Sequence, residues 1–303
     1  MDEREWLVER FETHRSRLKA VAYRMLGSPS EADDAVQEAW LRLARNGADD
    51  VENLGAWLTT VVARVCLNML RSRGSRREMP LEEPQSGISG AHLPDPIIDR
   101  EEGTDPEHEA LLADSVGLAL LVVLGTLTPA ERLAFVLHDM FAVSFGEIAP
   151  IVGRSPAAAR QLASRARRRV RGASVAPDAD IASQREVVDA FLAASREGEF
   201  ETLLAVLDPN VLLRVDYGAT PMGGFKEVRG ARDVVGQALT FARFAPFAQP
   251  ALVNGAAGTV SRAPDGKPFS VMGFTVVQGK IVEIYILSDP DRLSRLDLSA
   301  LDD

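Results

Sequence analysis

Residues 154–171 hold seven arginines and no acidic side chain. Arginine's planar guanidinium donates paired hydrogen bonds that match phosphate oxygens and the guanine edge, so such a run points to nucleic acid. Arg160, Gln161, Ser164 and Arg165 fall in the first half of the helix-forming stretch AAARQLASRARRRVR, where side chains reach base edges. Arg167, Arg168, Arg169 and Arg171 follow, better placed for phosphates. A second acid-free cluster, Arg64, Arg71, Arg73, Arg76 and Arg77, has Asn68 one helical turn after Arg64. That cluster reads equally as a solvated helix end, where cations complement the helix dipole. Catalytic side chains are sparser. All four histidines (His14, His92, His108, His138) precede residue 180, and Cys66 is the only cysteine. No internal disulfide and no Cys-rich metal set is therefore available, and neither metal nor cofactor is expected. In the last third, the carboxylates of Asp216 and Glu283 either point inward or stand at strand ends on the surface.

Two regular patterns position the arginines. Thr128-Pro129-Ala130-Glu131, Ser144-Phe145-Gly146-Glu147 and Ser155-Pro156 are successive helix-start signals. They open ERLAFVLHDMF, a short helix ending near Val152-Gly153, and the arginine-rich helix. Two helices joined by a short glycine-containing turn form a helix-turn-helix, whose second helix enters the major groove. Toward the N-terminus, one amphipathic helix carries Leu7, Phe11, Leu18 and Met25, and Ser28-Pro29-Ser30-Glu31 caps a second through EADDAVQEAWLRLAR. A third runs from about Leu54 to Arg73, with Gly74 after its end.

The formal charge of −10 counts against nucleic acid only as an average. It divides into −2 over residues 1–85, −6 over 86–110, +4 over 111–172 and −6 over 173–303. Residues 81–110 are rich in proline, glycine and acid, as a flexible linker is, and 173–182 is a shorter seam. The acidic N-terminus lacks the apolar core of a signal peptide, and the apolar run 116–127 is too short for a bilayer. A cytoplasmic protein with no membrane partner is expected.

The last segment, 183–303, changes to α+β. Ser183 and Glu186 suggest a capping box for a helix to about Glu197, followed by a short helix and a strand over 211–216. A helix near 231–244 precedes strand-like runs at 249–254, 257–262, 269–277 and 280–287, with Gln278-Gly279 a hairpin turn between the last two.

These motifs resemble a known family. Residues 1–80 and 111–172 resemble regions 2 and 4 of extracytoplasmic-function sigma factors, through EADDAVQEAWLRL, AWLTTVVARVCLNMLRSRGSRR and LTPAERLAFVLHDMFAVSFGEIAPIVGRSPAAARQLASRARRRV. The resemblance implies two all-α sigma domains, a helical bundle and a helix-turn-helix, that bind core RNA polymerase and promoter DNA and initiate transcription without catalysis. By it, Asp33, Asp34, Gln37 and Glu38 face the polymerase. Arg64, Asn68, Arg71, Arg73, Arg76 and Arg77 face the −10 element, although many relatives have a smaller polar residue at the position of Arg64. Ser155, Arg160, Gln161, Ser164, Arg165, Arg167 and Arg168 face the −35 element.

Residues 183–303 resemble a SnoaL-like cone with a curved antiparallel sheet, the extra domain of the SigJ-like subgroup of these sigma factors. Leu93-Pro94-Asp95-Pro96 resembles that subgroup's linker motif WLPEP, with His92 in place of tryptophan. Asp289-Pro290-Asp291-Arg292-Leu293 resembles its NPDKL, while of its DGGGK only Asp216-Tyr217-Gly218 aligns. The implied role is regulatory docking of the cone on the sigma domains or the linker. Two other classes compete: a ligand-sensing helix-turn-helix regulator that binds DNA without polymerase, and an enzyme built on the cone. The absence of histidine from the cone disfavours the enzyme.

Overall fold

Helix-start signals and apolar spacing translate directly into the first three helices: α1 (Glu3–Leu26), α2 (Pro29–Asn46) and α3 (Leu54–Arg77). The computed structural model describes residues 3–46, 53–77, 92–100, 117–173, 178, 180–218 and 224–301. Gly27, at φ 74°, supplies the left-handed residue that turns the chain out of α1. Val21 and Met25 of α1, Ala35, Ala39 and Leu43 of α2, and Leu58 and Val62 of α3 are fully buried in a common core. Trp57, Met69 and Leu70 are only half-buried. Helix α3 also continues through Gly74 to Arg77, past the expected stop. A glycine inside a helix costs about 1 kcal/mol. Here Arg73 anchors the turn by an ion pair with Glu31 of α2 and a 3.3 Å bond to the Leu26 carbonyl.

Next come α4 (Leu118–Gly125) and α5 (Pro129–Phe135), which runs into a single π-helical stretch at Val136–Met140. Helices α6 (Phe145–Val152) and α7 (Pro156–Ala173) follow. Thr128 and Ser144 each complete the capping box read from sequence, and Gly153, left-handed at φ 67°, makes the turn into α7. Helix α7 buries only small side chains along its inner edge, Ala159, Ala163 and Ala166, which lets it lie close to its neighbours. The described residues of Met1–Gly90, Pro106–Val116 and Leu120–Ala173 form one compact unit. Those of Ala91–Asp105, Gly117–Ala119 and Ser174–Asp303 form a second.

In the second unit, α8 (Ile181–Glu197) and α9 (Phe200–Val206) lead into β2 (Leu207–Asp216) and β3 (Phe225–Arg229). Helix α10 (Ala231–Thr240) and a 3-10 turn (Ala242–Phe247) precede β4 (Ala248–Val253), β5 (Ala256–Arg262), β6 (Pro268–Val277) and β7 (Lys280–Leu287). The short helix α11 (Pro290–Leu293) and a 3-10 turn (Ser299–Leu301) complete the described chain. Asp180, rather than Ser183, caps α8: its carboxylate accepts the Ala182 and Ser183 amides and engages the Ser183 hydroxyl as well. The sheet order is β1-β4-β5-β6-β7-β2-β3, where β1 (Ile98–Asp99) comes from the segment read as linker. All pairings are antiparallel except β2 with β7. Neither β1 nor β3 was expected from sequence. Two-residue turns at Asn254-Gly255 and Gln278-Gly279, all four residues at positive φ, close the β4–β5 and β6–β7 hairpins. Phe191, Val235, Leu213, Phe274 and Ile284 join α8 and α10 to the sheet in one α+β core. Among the described residues, no helix is long and apolar enough to cross a membrane.

Candidate nucleic-acid interface and linker clamp

The alanine seam of α7 leaves its other face outward. Arg160, Gln161, Ser164 and Arg168 are exposed there, at helical spacings that share one side. The Arg160 guanidinium stands 5.4 Å from the Phe145 ring of α6, which holds the side chain against the first helix of the pair. Other arginines are tied to acids of α5 and of the π-helical stretch that follows it. Arg165 Nε lies 4.0 Å and Arg169 Nη1 3.1 Å from Glu131, and Arg167 Nε lies 2.7 Å from Asp139. Glu131 thus serves the α5 capping box and the arginine helix together; sequence reading assigned it only the first task. The Ser155 hydroxyl accepts the Ala158 amide at 3.2 Å, which makes it the cap of α7.

On α3, Arg64, Asn68 and Arg71 are exposed along one face, while Arg73 turns away to Leu26 and Glu31. Arg76 and Arg77 end that helix, and their side chains lie outside the described residues. On α2, Asp33, Asp34 and Gln37 are exposed and Glu38 is half-buried. Asp33 pairs with Lys19 at 2.8 Å and Glu38 with Arg42 at 2.8 Å. Beneath this surface, burial pushes the Cys66 thiol up to about 12, against the opposing pull of Arg132. Such a thiol stays protonated and is no nucleophile. Arg132 is itself lowered to about 10, by burial and then by the Arg73 charge, and its Nε donates to the Arg24 carbonyl at 2.9 Å.

In the second unit the three short motifs meet. Leu93, Pro94 and Pro96 are buried, and Ile98 of β1 pairs with Val253 of β4. The Asn254 side-chain oxygen accepts the Ile97 amide at 3.0 Å, and the Asn254 amide returns a 2.9 Å bond to the Ile97 carbonyl. At the end of β2, Asp216 accepts the Leu93 amide at 2.9 Å, the Gly218 amide at 3.0 Å and Arg292 Nη1 at 2.7 Å. His92 Nδ1 stands 3.5 Å away. The Arg292 fork also donates to Asp95 at 2.6 Å and to the Leu93 carbonyl at 2.5 Å. Asp289 caps the short helix that carries Arg292, accepting the Asp291 and Arg292 amides, and Leu293 pins that helix inward while Asp291 stays exposed. Burial alone raises the Asp216 carboxyl. The hydrogen bonds from His92, Gly218 and Leu93 and the Arg292 charge outweigh that and hold it below the usual carboxylate range. Sequence reading named these motifs one by one without joining them, and missed Asn254. Its Asn-Gly pair signals a hairpin, and no local pattern tells that the side chain reaches the linker.

Glu283 pairs with Arg214 at 3.1 Å and accepts the Tyr285 hydroxyl. Neither Glu283 nor Asp216 lines the cavity of the cone. Among the described residues no group of His, Cys, Asp and Glu is arranged to hold a metal.

The family Sigma-70 region 2 matches residues 10–76, and Sigma-70, region 4 matches 117–170. The chain is 38% identical over 301 residues to the ECF RNA polymerase sigma factor SigJ of Mycobacterium tuberculosis, covering 95% of this chain and 93% of that one. It is 35% identical over 290 residues to the probable ECF RNA polymerase sigma factor SigI of the same species, covering 93% of each. The crystal structure of the M. tuberculosis extracytoplasmic function sigma factor SigJ superposes with a TM-score of 0.75 at 34% identity, over 96% of this chain and 99% of that one.

Proposed function

Because this chain belongs to the extracytoplasmic-function RNA polymerase sigma factors, we propose that each exposed face described above has its own share of promoter recognition. Core polymerase docks on α2 through Asp33, Asp34, Gln37 and Glu38, carboxylates and an amide that suit basic and polar partners. Arg64, Asn68, Arg71, Arg76 and Arg77 of α3 contact the −10 element, and Arg73 supports the helix from behind. An unstacked base there needs a pocket of donors, since extrusion costs a few kcal/mol. Arg160, Gln161, Ser164 and Arg165 read the −35 element, and Arg167 and Arg168 contact its phosphates. The reaction chemistry belongs to the polymerase; the sigma factor is no enzyme. It works in the cytoplasm, where polymerase and promoter are.

The C-terminal cone acts as a regulator by holding the linker. The observation that carries this reading is the Asp216–Arg292 pair, in which Asp216 accepts the Leu93 amide and Arg292 donates to the Leu93 carbonyl and Asp95. Held linker cannot follow the path through polymerase that region 2 and region 4 need it to span. The acidic linker and cone also offset the arginine helices in the free chain, so duplex DNA is bound well only with polymerase.

Run-off transcription with core polymerase tests this, using the full chain and chains ending after residues 171 and 291. Promoter-specific transcripts that change in amount or promoter choice with the truncations are expected. Arg160→Ala should reduce transcription at promoters that depend on a −35 element. Tight binding of a −35 duplex without polymerase, or identical output from all three chains, would overturn the corresponding part.

A further inference from the structure

The sheet of the second unit, with α8, α10 and the 3-10 turn, lines a half-open cavity of about 280 Å³. Native cores rarely leave voids larger than a water molecule. A cavity of about 150 Å³ lined by apolar side chains takes one benzene, so this space suits about two rings. Its walls are apolar: Leu213 and Val215 of β2, Ile284 and Ile286 of β7, Phe191 of α8 and Val234 of α10. Phe241, Phe244 and Phe269 surround it at the 3-10 turn, where Phe241 and Phe244 remain exposed. The Arg243 guanidinium sits 4.8 Å from the Phe244 ring and is not part of the lining.

Its polar groups are neutral. Ser261 and Ser270, a cross-strand pair of β5 and β6, line it with Ser288, and none of these hydroxyls has a hydrogen-bond partner among the described residues. Tyr217, the single ionisable side chain in the lining, has its hydroxyl pushed up by burial and is protonated at neutral pH. The lining amide Gln237 accepts the Lys226 ammonium at 2.7 Å, but Lys226 is not itself in the lining, so a charged ligand would lose its hydration with no counter-charge in the wall, at several kcal/mol.

The lining touches the linker clamp through the backbone. Tyr217 follows Asp216, Ser288 precedes Asp289, and the Ser288 amide donates to the Asp216 carbonyl at 2.8 Å. Side chains alternate along a strand, so Val215 and Tyr217 face the cavity while Asp216 faces Leu93.

We propose that this cavity binds an uncharged, largely apolar small molecule of about two rings carrying a hydroxyl or carbonyl oxygen, and that its occupancy tightens the linker clamp. Aromatic and aliphatic walls supply the affinity, and the serine hydroxyls fix the ligand's oxygen. A ligand resting on Tyr217 and Ser288 restrains the ends of β2 and β7 from which Asp216 and the Arg292 helix project. Occupancy shifts the clamp because the clamped form presents the complete wall and the released form does not. The coupling rests on the regulatory reading above, whereas the binding does not.

The test uses the full chain without polymerase, so it is independent of transcription. 1-Naphthol is titrated by its own fluorescence, alongside naphthalene-1-sulfonate, the same ring system with a charge. One equivalent of 1-naphthol should bind, and the sulfonate at least about tenfold more weakly, a difference of about 1.4 kcal/mol. Ala238→Trp, which fills the cavity, should abolish naphthol binding with the melting temperature retained. Failure of 1-naphthol to bind the natural chain, or equal binding of the sulfonate, would overturn the site without reference to any variant. Amide exchange at Leu93 should slow at least about threefold at saturation, as clamp opening becomes rarer. Unchanged or faster exchange with naphthol bound would overturn the coupling.

Discussion

Replacing Arg292 with alanine tests the clamp most directly. The arginine side chain is 15% exposed and Asp216 1%, so the pair is shielded from solvent, and the same fork holds Asp95 and the Leu93 carbonyl. Removing one partner of a buried pair costs about 3–5 kcal/mol when the other charge is stranded. Asp216 is not wholly stranded, because the Leu93 and Gly218 amides still donate to it. The lower end, about 3 kcal/mol, therefore applies to linker attachment. Since about 1.4 kcal/mol is tenfold, the released form becomes about 100-fold more populated. Hydrogen exchange in the full chain reads this residue by residue. The Leu93 amide should lose about two orders of magnitude of protection. The Ala257 amide, bonded to the Gln184 side chain in the cone, should keep its own. Arg292→Lys retains charge but not the fork and should fall between the two. Unchanged Leu93 protection would refute the reasoning. An equal loss at Leu93 and Ala257 would refute it too, by showing that the substitution loosens the whole domain.

The depressed Asp216 carboxyl stabilises the folded form above the unfolded carboxylate range, about pH 4, and that stability is lost as pH falls through the lower folded value. The melting advantage of the natural chain over Asp216→Asn should thus be constant from pH 7 to about pH 5 and shrink below about pH 4. Gly218 sits at φ 67°, and a Cβ there would stand 2.3 Å from the Asp289 carboxyl carbon; Gly218→Ala should cost about 1–2 kcal/mol or more in denaturant unfolding. Glu131→Gln keeps a capping side chain but frees Arg165 and Arg169 from its charge, so polymerase-dependent promoter binding should become more salt-sensitive, measured as a steeper slope of log affinity against log salt.

Local grammar made the first half of the molecule legible. Capping boxes at Thr128 and Ser144, the glycine turn at Gly153 and the acid-free arginine helix are all signals carried within a few residues, and the structure repeats them. The ends were harder where interactions come from far along the chain. Helix α3 outlasts Gly74 because Arg73 reaches α2, and β1 exists because β4 offers it an edge more than 150 residues later. Strand β3 reads as a polar, half-exposed segment, FKEVR, whose place is set by pairing with β2 rather than by any apolar alternation of its own. At the clamp, Asp216 and Arg292 were legible as motif members. That they bond to each other across 76 residues was not. Asn254 carried no signal for its role at all.

The order in which these partners leave the ribosome has a consequence. Leu93 and Asp95 are made long before Arg292, and the whole of the arginine-rich helix α7 lies between them. At about 5–20 residues per second, the 197 residues separating Asp95 from Arg292 take about 10–40 s to synthesise. Once α7 is complete at Ala173, the nascent chain carries both arginine helices with the clamp still unbuilt until Arg292 emerges. Ribosome-arrested chains ending near residue 180 should accordingly be cut by protease around Leu93, a site protected in the finished chain. The two halves of the clamp therefore meet only late in synthesis, when the C-terminal residues that carry Arg292 are in place.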